Sequence, residues 1–233
     1  MSMILVFDLD DTLYDERLYV ESGLRAVADF GEQQFGWDAD ASFRFMVEVL
    51  DTQGRGAIFD RWLASHDRFS RALVQECVKR YRHHTPDLKL DPAAKKLLAA
   101  LGGYPLYLVT DGHKITQARK VAALGIEPLF RKVFITHRHG VARAKPSTYC
   151  FERILAAEKA AWPQLVYVGD NPAKDFVNLN VKGAQTVRVL TGMHKDVKAA
   201  PGYEAQHRIA HLGAFQTLLP KLEKAARSAL SSR

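Results

Sequence analysis

Short apolar segments alternate with segments of helical periodicity through the second half of the chain. They occupy residues 106–109, 133–135 and 165–168, and a similar segment, 3–7, comes near the beginning of the chain. A fifth strand is predicted at 186–189. Apolar runs of this length, bounded by polar residues, are typical of buried strands. Because strands that alternate with helices form parallel sheets, we expect an α/β fold with helices on both faces of the sheet. We also expect an edge strand near 208–209.

Residues 15–90 have a different pattern from the rest of the chain. Apolar side chains there recur at helical spacing, as in Val20, Leu24 and Val27, and no strand pattern appears. We therefore predict a helical block, 15–90, inserted into an α/β core formed by residues 1–14 and 91–233. Since the block follows the first strand directly, we expect it to act as a lid over that edge of the sheet.

Three aspartates, Asp8, Asp10 and Asp11, follow the first predicted strand within four positions. Side chains alternate along an extended segment, so Asp8 and Asp10 should point the same way, into the edge where open α/β sheets bind ligands. Like charges this close repel each other unless a cation or a proton intervenes, and oxygen ligands suit Mg²⁺. The segment therefore indicates a magnesium site, although an acidic turn without a function would look similar.

Two further strand ends carry groups suited to an anion. Thr110-Asp111-Gly112 follows the second predicted strand, and a hydroxyl with free backbone N–H groups can hold a phosphate there. Lys145 precedes Pro146, which we expect to open a helix, and a lysine at that position can act as a point charge on a phosphoryl group.

The fourth predicted strand ends in Gly169-Asp170, and Asp175 follows five positions later. This places one or two more carboxylates at the edge that receives Asp8. Four coincident signals at successive strand ends argue against ordinary turn chemistry.

Together, these segments resemble the four motifs of the haloacid dehalogenase (HAD) superfamily, in order and spacing: Asp8–Leu13, Thr110–Gly112, Lys145–Pro146 and Gly169–Asp175. The resemblance covers nearly the whole chain and implies an HAD-like core with a Rossmann-like sheet. The helical block resembles the cap that one HAD group inserts after the first motif. Asp11 stands where many relatives carry glycine, and Asp111 where many carry asparagine.

The resemblance implies a role for each acidic motif residue. Asp8 would be the nucleophile that forms an aspartyl-phosphate, and Asp10 would protonate the leaving group and then activate water. Asp8, Asp170 and the backbone carbonyl of Asp10 would ligate Mg²⁺. Asp175 would ligate the metal through water or brace its ligands, and Asn171 would assist the same shell.

The resemblance also implies the phosphate-binding residues. Thr110 and Lys145 would hold the phosphoryl oxygens, and Asp111 would contribute mainly its backbone N–H.

These roles predict a magnesium-dependent phosphatase of a small phosphorylated metabolite, with a nucleoside monophosphate, a sugar phosphate or a phosphoglycolate-like acid as substrate. Asp10 argues against a dehalogenase, because the dehalogenases of the superfamily lack an aspartate at this position. A phosphosugar mutase keeps both aspartates and stays an alternative. A non-catalytic HAD-like binding module is a second alternative, disfavoured by the intact motif set.

The net charge and the composition limit which classes of partner we expect for this chain. The net charge of +7 favours an anionic ligand, but the basic residues are dispersed, which disfavours nucleic acid and leaves a small phosphate ester as the expected partner. Apolar runs are too short to cross a bilayer, no signal peptide pattern appears, and the two cysteines lack metal-ligand spacing. We expect a cytoplasmic protein, with its oligomeric state and the role of the basic segment 138–143 left open.

Overall fold

A computed structural model describes residues 3–231 and contains one six-stranded parallel sheet with strand order β3-β2-β1-β4-β5-β6. The strands are β1 (Ile4–Phe7), β2 (Leu106–Thr110), β3 (Lys132–Ile135), β4 (Leu165–Gly169), β5 (Gln185–Val189) and β6 (His207–Ile209). The predicted α/β class, the parallel sheet and the edge strand are confirmed.

The strand order places β1 between β2 and β4. Phe7 lies opposite Leu108 of β2 and Val168 of β4, so the chain leaves all three strands at the same edge. The segments that follow these strands carry Asp8, Thr110 and Asp170. Parallel register therefore brings together residues that are more than 50 positions apart in sequence.

Helices flank the sheet: α5 (Pro92–Ala100), α6 (Lys114–Leu124), α7 (Tyr149–Glu158), α8 (Val177–Lys182) and α9 (Phe215–Ser231). Asp91 caps the first of these by accepting hydrogen bonds from the backbone N–H groups of Ala93 and Ala94. Strands β1, β2, β4 and β5 are fully buried because helices cover the sheet, which explains the nearly continuous apolar sequences of β1, β2 and β4. Over residues 3–231, no helix combines the length and apolarity that a membrane crossing requires.

The helical block contains α1 (Glu16–Phe35), α2 (Ala39–Gln53), α3 (Ile58–Ser65) and α4 (Arg71–His83). Arg17–Leu88 forms one compact unit, and the chain up to Glu16 and from Lys89 onward forms the other. The helical unit has an apolar core of its own that includes Leu24, Met46 and Trp62. Its role as a cap stays a prediction.

One local prediction about Lys145 is wrong. Pro146 does not open a helix: α7 begins at Tyr149, and Ala144 to Ser147 form a turn closed by a 2.9 Å hydrogen bond from the backbone N–H of Ser147 to the carbonyl of Ala144. A proline fits such a turn as well as a first helical turn, so sequence did not separate the two.

Candidate active site

Three buried carboxylates meet at the edge of the sheet. Asp8 follows β1, Asp170 follows β4, and Asp175 comes five residues later, before α8. One oxygen of each lies within 4.8 Å of the others. This set, the acidic cluster, has the oxygen donors that a hard divalent cation requires.

Lys145 supplies a positive charge to this cluster. Its Nζ lies 3.0 Å from Oδ1 of Asp8 and 2.8 Å from Oδ1 of Asp175. Burial alone would lower the pKa of Lys145, but the charges of Asp175 and Asp8 outweigh burial and raise this pKa well above its usual value, so the side chain is an ammonium. With all three carboxylates ionised, the cluster and Lys145 would carry a net charge of −2, which a divalent cation would neutralise.

The pKa values of Asp8 and Asp170 are also raised, as expected for buried carboxylates that have too few positive charges around them. Burial raises the pKa of Asp8 above its ordinary value, although Lys145 opposes this shift. Burial also raises the pKa of Asp170, and the neighbouring charges of Asp8 and Asp175 raise it further. Within residues 3–231, Asp170 has no hydrogen-bond or salt-bridge partner. Burying a carboxylate without a partner costs folding free energy, and a bound cation would remove that cost. The oxygen ligands of the acidic cluster therefore fit a bound Mg²⁺.

Asp175 is held more firmly than the other two carboxylates. Its Oδ2 accepts a 2.9 Å hydrogen bond from the backbone N–H of Asn171, and its Oδ1 accepts one of 3.3 Å from the hydroxyl of Tyr167. Lys145 also donates to that hydroxyl, at 2.8 Å. Asp175 therefore orients Lys145 and closes the loop after β4. The side chain of Asn171 contacts Ala173 N and His194 Nε2.

Asp111 organises the far side of Lys145. Its Oδ1 accepts hydrogen bonds from Thr136 Oγ1 at 2.6 Å and from the backbone N–H of Lys145 at 3.0 Å. Burial tends to raise the pKa of Asp111, but Lys145 and Lys174 outweigh it and lower this pKa, so the side chain is a carboxylate. The side chain thus holds the turn that presents Lys145, while the predicted contribution of its backbone N–H stays a prediction.

Asp10 has a separate set of partners. Its Oδ1 accepts hydrogen bonds from Tyr14 Oη at 2.6 Å and Lys120 Nζ at 2.7 Å, and its Oδ2 accepts one from Gln117 Nε2 at 2.8 Å. We call Tyr14, Gln117 and Lys120 the Asp10 donor set. Lys120 also pairs with Glu16 Oε1 at 2.8 Å.

The carboxylates of Asp8 and Asp10 have different hydrogen-bonding partners, and the expectation that they point the same way stays a prediction. After β1 ends at Phe7, a turn forms in which the backbone N–H of Leu13 donates to the Leu9 carbonyl at 3.0 Å. The Asp10 carboxylate does not belong to the acidic cluster. The resemblance implied that the backbone carbonyl of Asp10, and not its carboxylate, ligates Mg²⁺, and that role stays a prediction.

Thr110, the last residue of β2, is fully buried, and its Oγ1 accepts a hydrogen bond from Gln117 Nε2 at 2.6 Å. Gln117 therefore links the predicted phosphate-binding hydroxyl to Asp10.

Sequence reasoning missed Gln117, Lys120 and Tyr167. Each is fully buried, although glutamine and lysine are seldom buried without partners. Gln117 and Lys120 are three positions apart, on the same face of α6 as Val121, which is also buried. Polar residues at core-facing positions of a helix were the available signal.

Asp11 fastens a loop beside the acidic cluster. It adopts a left-handed conformation, with φ of +53°, and its carboxylate accepts hydrogen bonds from the backbone N–H groups of Glu16 at 2.9 Å and Met193 at 3.2 Å. A Cβ on Gly192 would come within 2.1 Å of the Asp11 side chain, so this close approach requires glycine. The loop continues to His194, which contacts Asn171.

A family model for haloacid dehalogenase-like hydrolases matches residues 3–176, and a second HAD-hydrolase-like model matches residues 142–214. The chain belongs to the haloacid dehalogenase-like hydrolase family.

Among curated relatives, a glyceraldehyde 3-phosphate phosphatase from Methanocaldococcus jannaschii is 29% identical over 83% of this chain and 87% of the relative. A protein of the same name from Pyrococcus furiosus is 28% identical over 83% of each chain. Among solved structures, the putative HAD-hydrolase YfnB from Bacillus subtilis, bound to magnesium, aligns with a TM-score of 0.67 at 20% identity over 94% of this chain and 98% of that one. This structural likeness supports the fold.

Proposed function

We propose that the protein is a magnesium-dependent phosphatase that hydrolyses a small phosphorylated metabolite through an aspartyl-phosphate on Asp8. Membership of the HAD-like hydrolases and the phosphatases among the relatives support a phosphomonoester hydrolase. The observation that carries the proposal is the acidic cluster, in which three buried carboxylates meet one ammonium, that of Lys145, at the edge of the sheet.

In the first step, a carboxylate oxygen of Asp8 attacks phosphorus and the bond to the ester oxygen breaks. Lys145 and the Thr110 hydroxyl would hold the phosphoryl oxygens. Lys145 is already fixed near Asp8 by Asp175, so little reorganisation is needed for it to neutralise phosphoryl charge.

In the second half of the reaction, water attacks the aspartyl-phosphate and Asp8 leaves as a carboxylate. Asp10 gives a proton to the ester oxygen in the first step and takes one from water in the second. Its separate hydrogen-bonding partners support a role different from that of Asp8.

Asp8 and Asp170, with the backbone carbonyl of Asp10, would hold Mg²⁺, and Asp175 would brace the set from its contacts with Tyr167 and Asn171. When bound, the metal would neutralise phosphoryl charge and relieve the repulsion between the carboxylates.

For the substrate, we propose a sugar phosphate of triose size, because four relatives that align with this chain over most of their length carry the name glyceraldehyde 3-phosphate phosphatase. A cytoplasmic location is proposed with it, since the cysteines Cys77 and Cys150 are both buried free thiols.

The test is phosphate release from glyceraldehyde 3-phosphate, other sugar phosphates, nucleoside monophosphates and phosphoglycolate, with Mg²⁺ and with a chelator. Asp8→Asn is the matched control, because it keeps the shape of the side chain and removes the nucleophile. Metal-dependent turnover that the variant loses would support the proposal. Equal activity of both proteins would contradict it, and an isomerised phosphate ester without free phosphate would identify a mutase.

A further inference from the structure

Two buried polar side chains of α6 donate hydrogen bonds to the Asp10 carboxylate. Gln117 and Lys120 each have 1% of their surface exposed. Lys120 is a charged residue at a core-facing position, where burial alone would lower its pKa, but Asp10 and Glu16 outweigh burial and raise this pKa. Buried ion pairs are weak sources of stability compared with apolar packing. Stability of the fold therefore does not explain why a lysine occupies this position.

The bonding pattern distinguishes the two oxygens of Asp10. Oδ1 accepts from both Tyr14 and Lys120, whereas Oδ2 accepts from Gln117 alone. A carboxylate oxygen has two lone-pair sites, so Tyr14 and Lys120 fill those of Oδ1, and Gln117 leaves one site open on Oδ2. Oδ2 is thus the oxygen of Asp10 that can accept a further partner.

The amide of Gln117 also fixes the direction of the Thr110 hydroxyl. Its Nε2 lies 2.8 Å from Asp10 Oδ2 and 2.6 Å from Thr110 Oγ1, so both amide hydrogens are used. The reverse orientation of the amide would place its oxygen against Asp10 Oδ2, and repulsion between the two oxygens disfavours it while Asp10 is a carboxylate. Because Thr110 Oγ1 accepts from the amide, its own hydrogen is directed elsewhere and is available for a substrate oxygen.

We propose that Gln117 and Lys120 are positioning residues: they fix Asp10 so that Oδ2 carries the transferred proton, and Gln117 orients Thr110 as a donor to the phosphoryl group. This inference rests on the proposed phosphatase function. The proton moves from Oδ2 to the ester oxygen as the phosphorus–oxygen bond breaks. Oδ2 later takes a proton from water as the water oxygen bonds to phosphorus and the Asp8–phosphorus bond breaks.

The test compares leaving groups, because an aryl phosphate needs little protonation and an alkyl phosphate needs much. Single-turnover formation of the phosphoenzyme is followed by rapid quench with p-nitrophenyl phosphate and with glyceraldehyde 3-phosphate. Lys120→Met should slow the alkyl reaction about 10- to 100-fold and the aryl reaction several-fold less, within the range of general acid catalysis. Gln117→Leu should show the same selectivity and also raise KM, because Thr110 loses its orientation.

Arg188→Met is the matched control. Arg188 is another buried cation, paired with Glu204 at 3.0 Å and without a contact to Asp10, so its loss should change both esters by the same factor. Equal slowing of both esters by Lys120→Met and Gln117→Leu would overturn the inference. If Lys120→Met does not fold, Lys120→Met combined with Glu16→Gln removes the stranded carboxylate, and Gln117→Leu exchanges one neutral side chain for another. A folded wild type inactive on every ester would instead contradict the proposed function.

Discussion

The acidic cluster around Asp8 and the donor set around Asp10 differ in what surrounds each carboxylate. Asp8 lies with two other buried carboxylates and shares one ammonium, Lys145. Asp10, two residues later, accepts three hydrogen bonds and has Lys120 beside it. The first arrangement has more negative than positive groups and would be completed by a cation, whereas in the second the carboxylate has its partners within the protein. Identical side chains can therefore take different tasks when their surroundings differ.

The largest effect is expected at the centre of the acidic cluster. Asp8→Asn should lower kcat at least about 10⁴-fold, because no other group can form the covalent intermediate. Phosphate release measures the loss, and circular dichroism checks the fold. Turnover within tenfold of the wild type would assign the nucleophile to another residue and remove the distinction between the two carboxylates.

The second-largest effect is expected at Asp10, where a substitution separates proton transfer from Mg²⁺ binding. Asp10→Asn should lower kcat about 10²- to 10⁴-fold, the usual range for general acid–base catalysis, while Mg²⁺ still stabilises the protein, because the backbone carbonyl of Asp10 is retained. Steady-state kinetics and thermal unfolding with and without Mg²⁺ measure the two properties. Loss of the Mg²⁺-induced stabilisation in this variant would mean that the Asp10 side chain belongs functionally to the acidic cluster.

Asp170→Asn tests the charge deficit of the acidic cluster. In the wild type, Mg²⁺ at about 100 times its Kd should stabilise the fold by about 2.7 kcal/mol. The variant should lose most of this gain, yet be more stable than the wild type without metal, because a buried and repelled carboxylate is gone. Thermal unfolding with EDTA and with Mg²⁺ gives both values. An unchanged response to Mg²⁺ would exclude Asp170 as a ligand.

The smallest effect is expected at Thr110, which Gln117 links to Asp10. Thr110→Val removes the hydroxyl that Gln117 orients and should lower kcat/KM about 10- to 100-fold, as expected for one hydrogen bond to a charged group. Most of the change should appear in KM. Thr110→Ser keeps the hydroxyl and serves as the control; equal losses in both variants would show that packing, and not the hydroxyl, matters.

Much of the architecture could be predicted from local sequence. Apolar runs such as 165–168 mark strands because both faces of a parallel sheet are buried, and the motifs located Asp8, Thr110 and Asp170 at strand ends. The turn at Pro146 could not be distinguished from a helix start, because proline suits both.

The sequence by itself determined the fold class and the residues that follow each strand, since periodicity and apolar runs are local properties of a chain. Only the tertiary structure decided which side chains meet. Gln117 and Lys120 reach Asp10 across more than 100 residues of chain. Contacts of this kind follow from strand order and helix packing, which place distant segments side by side. Polar residues at core-facing positions of α6 indicate that buried partners exist, but the sequence does not say which residues those partners are.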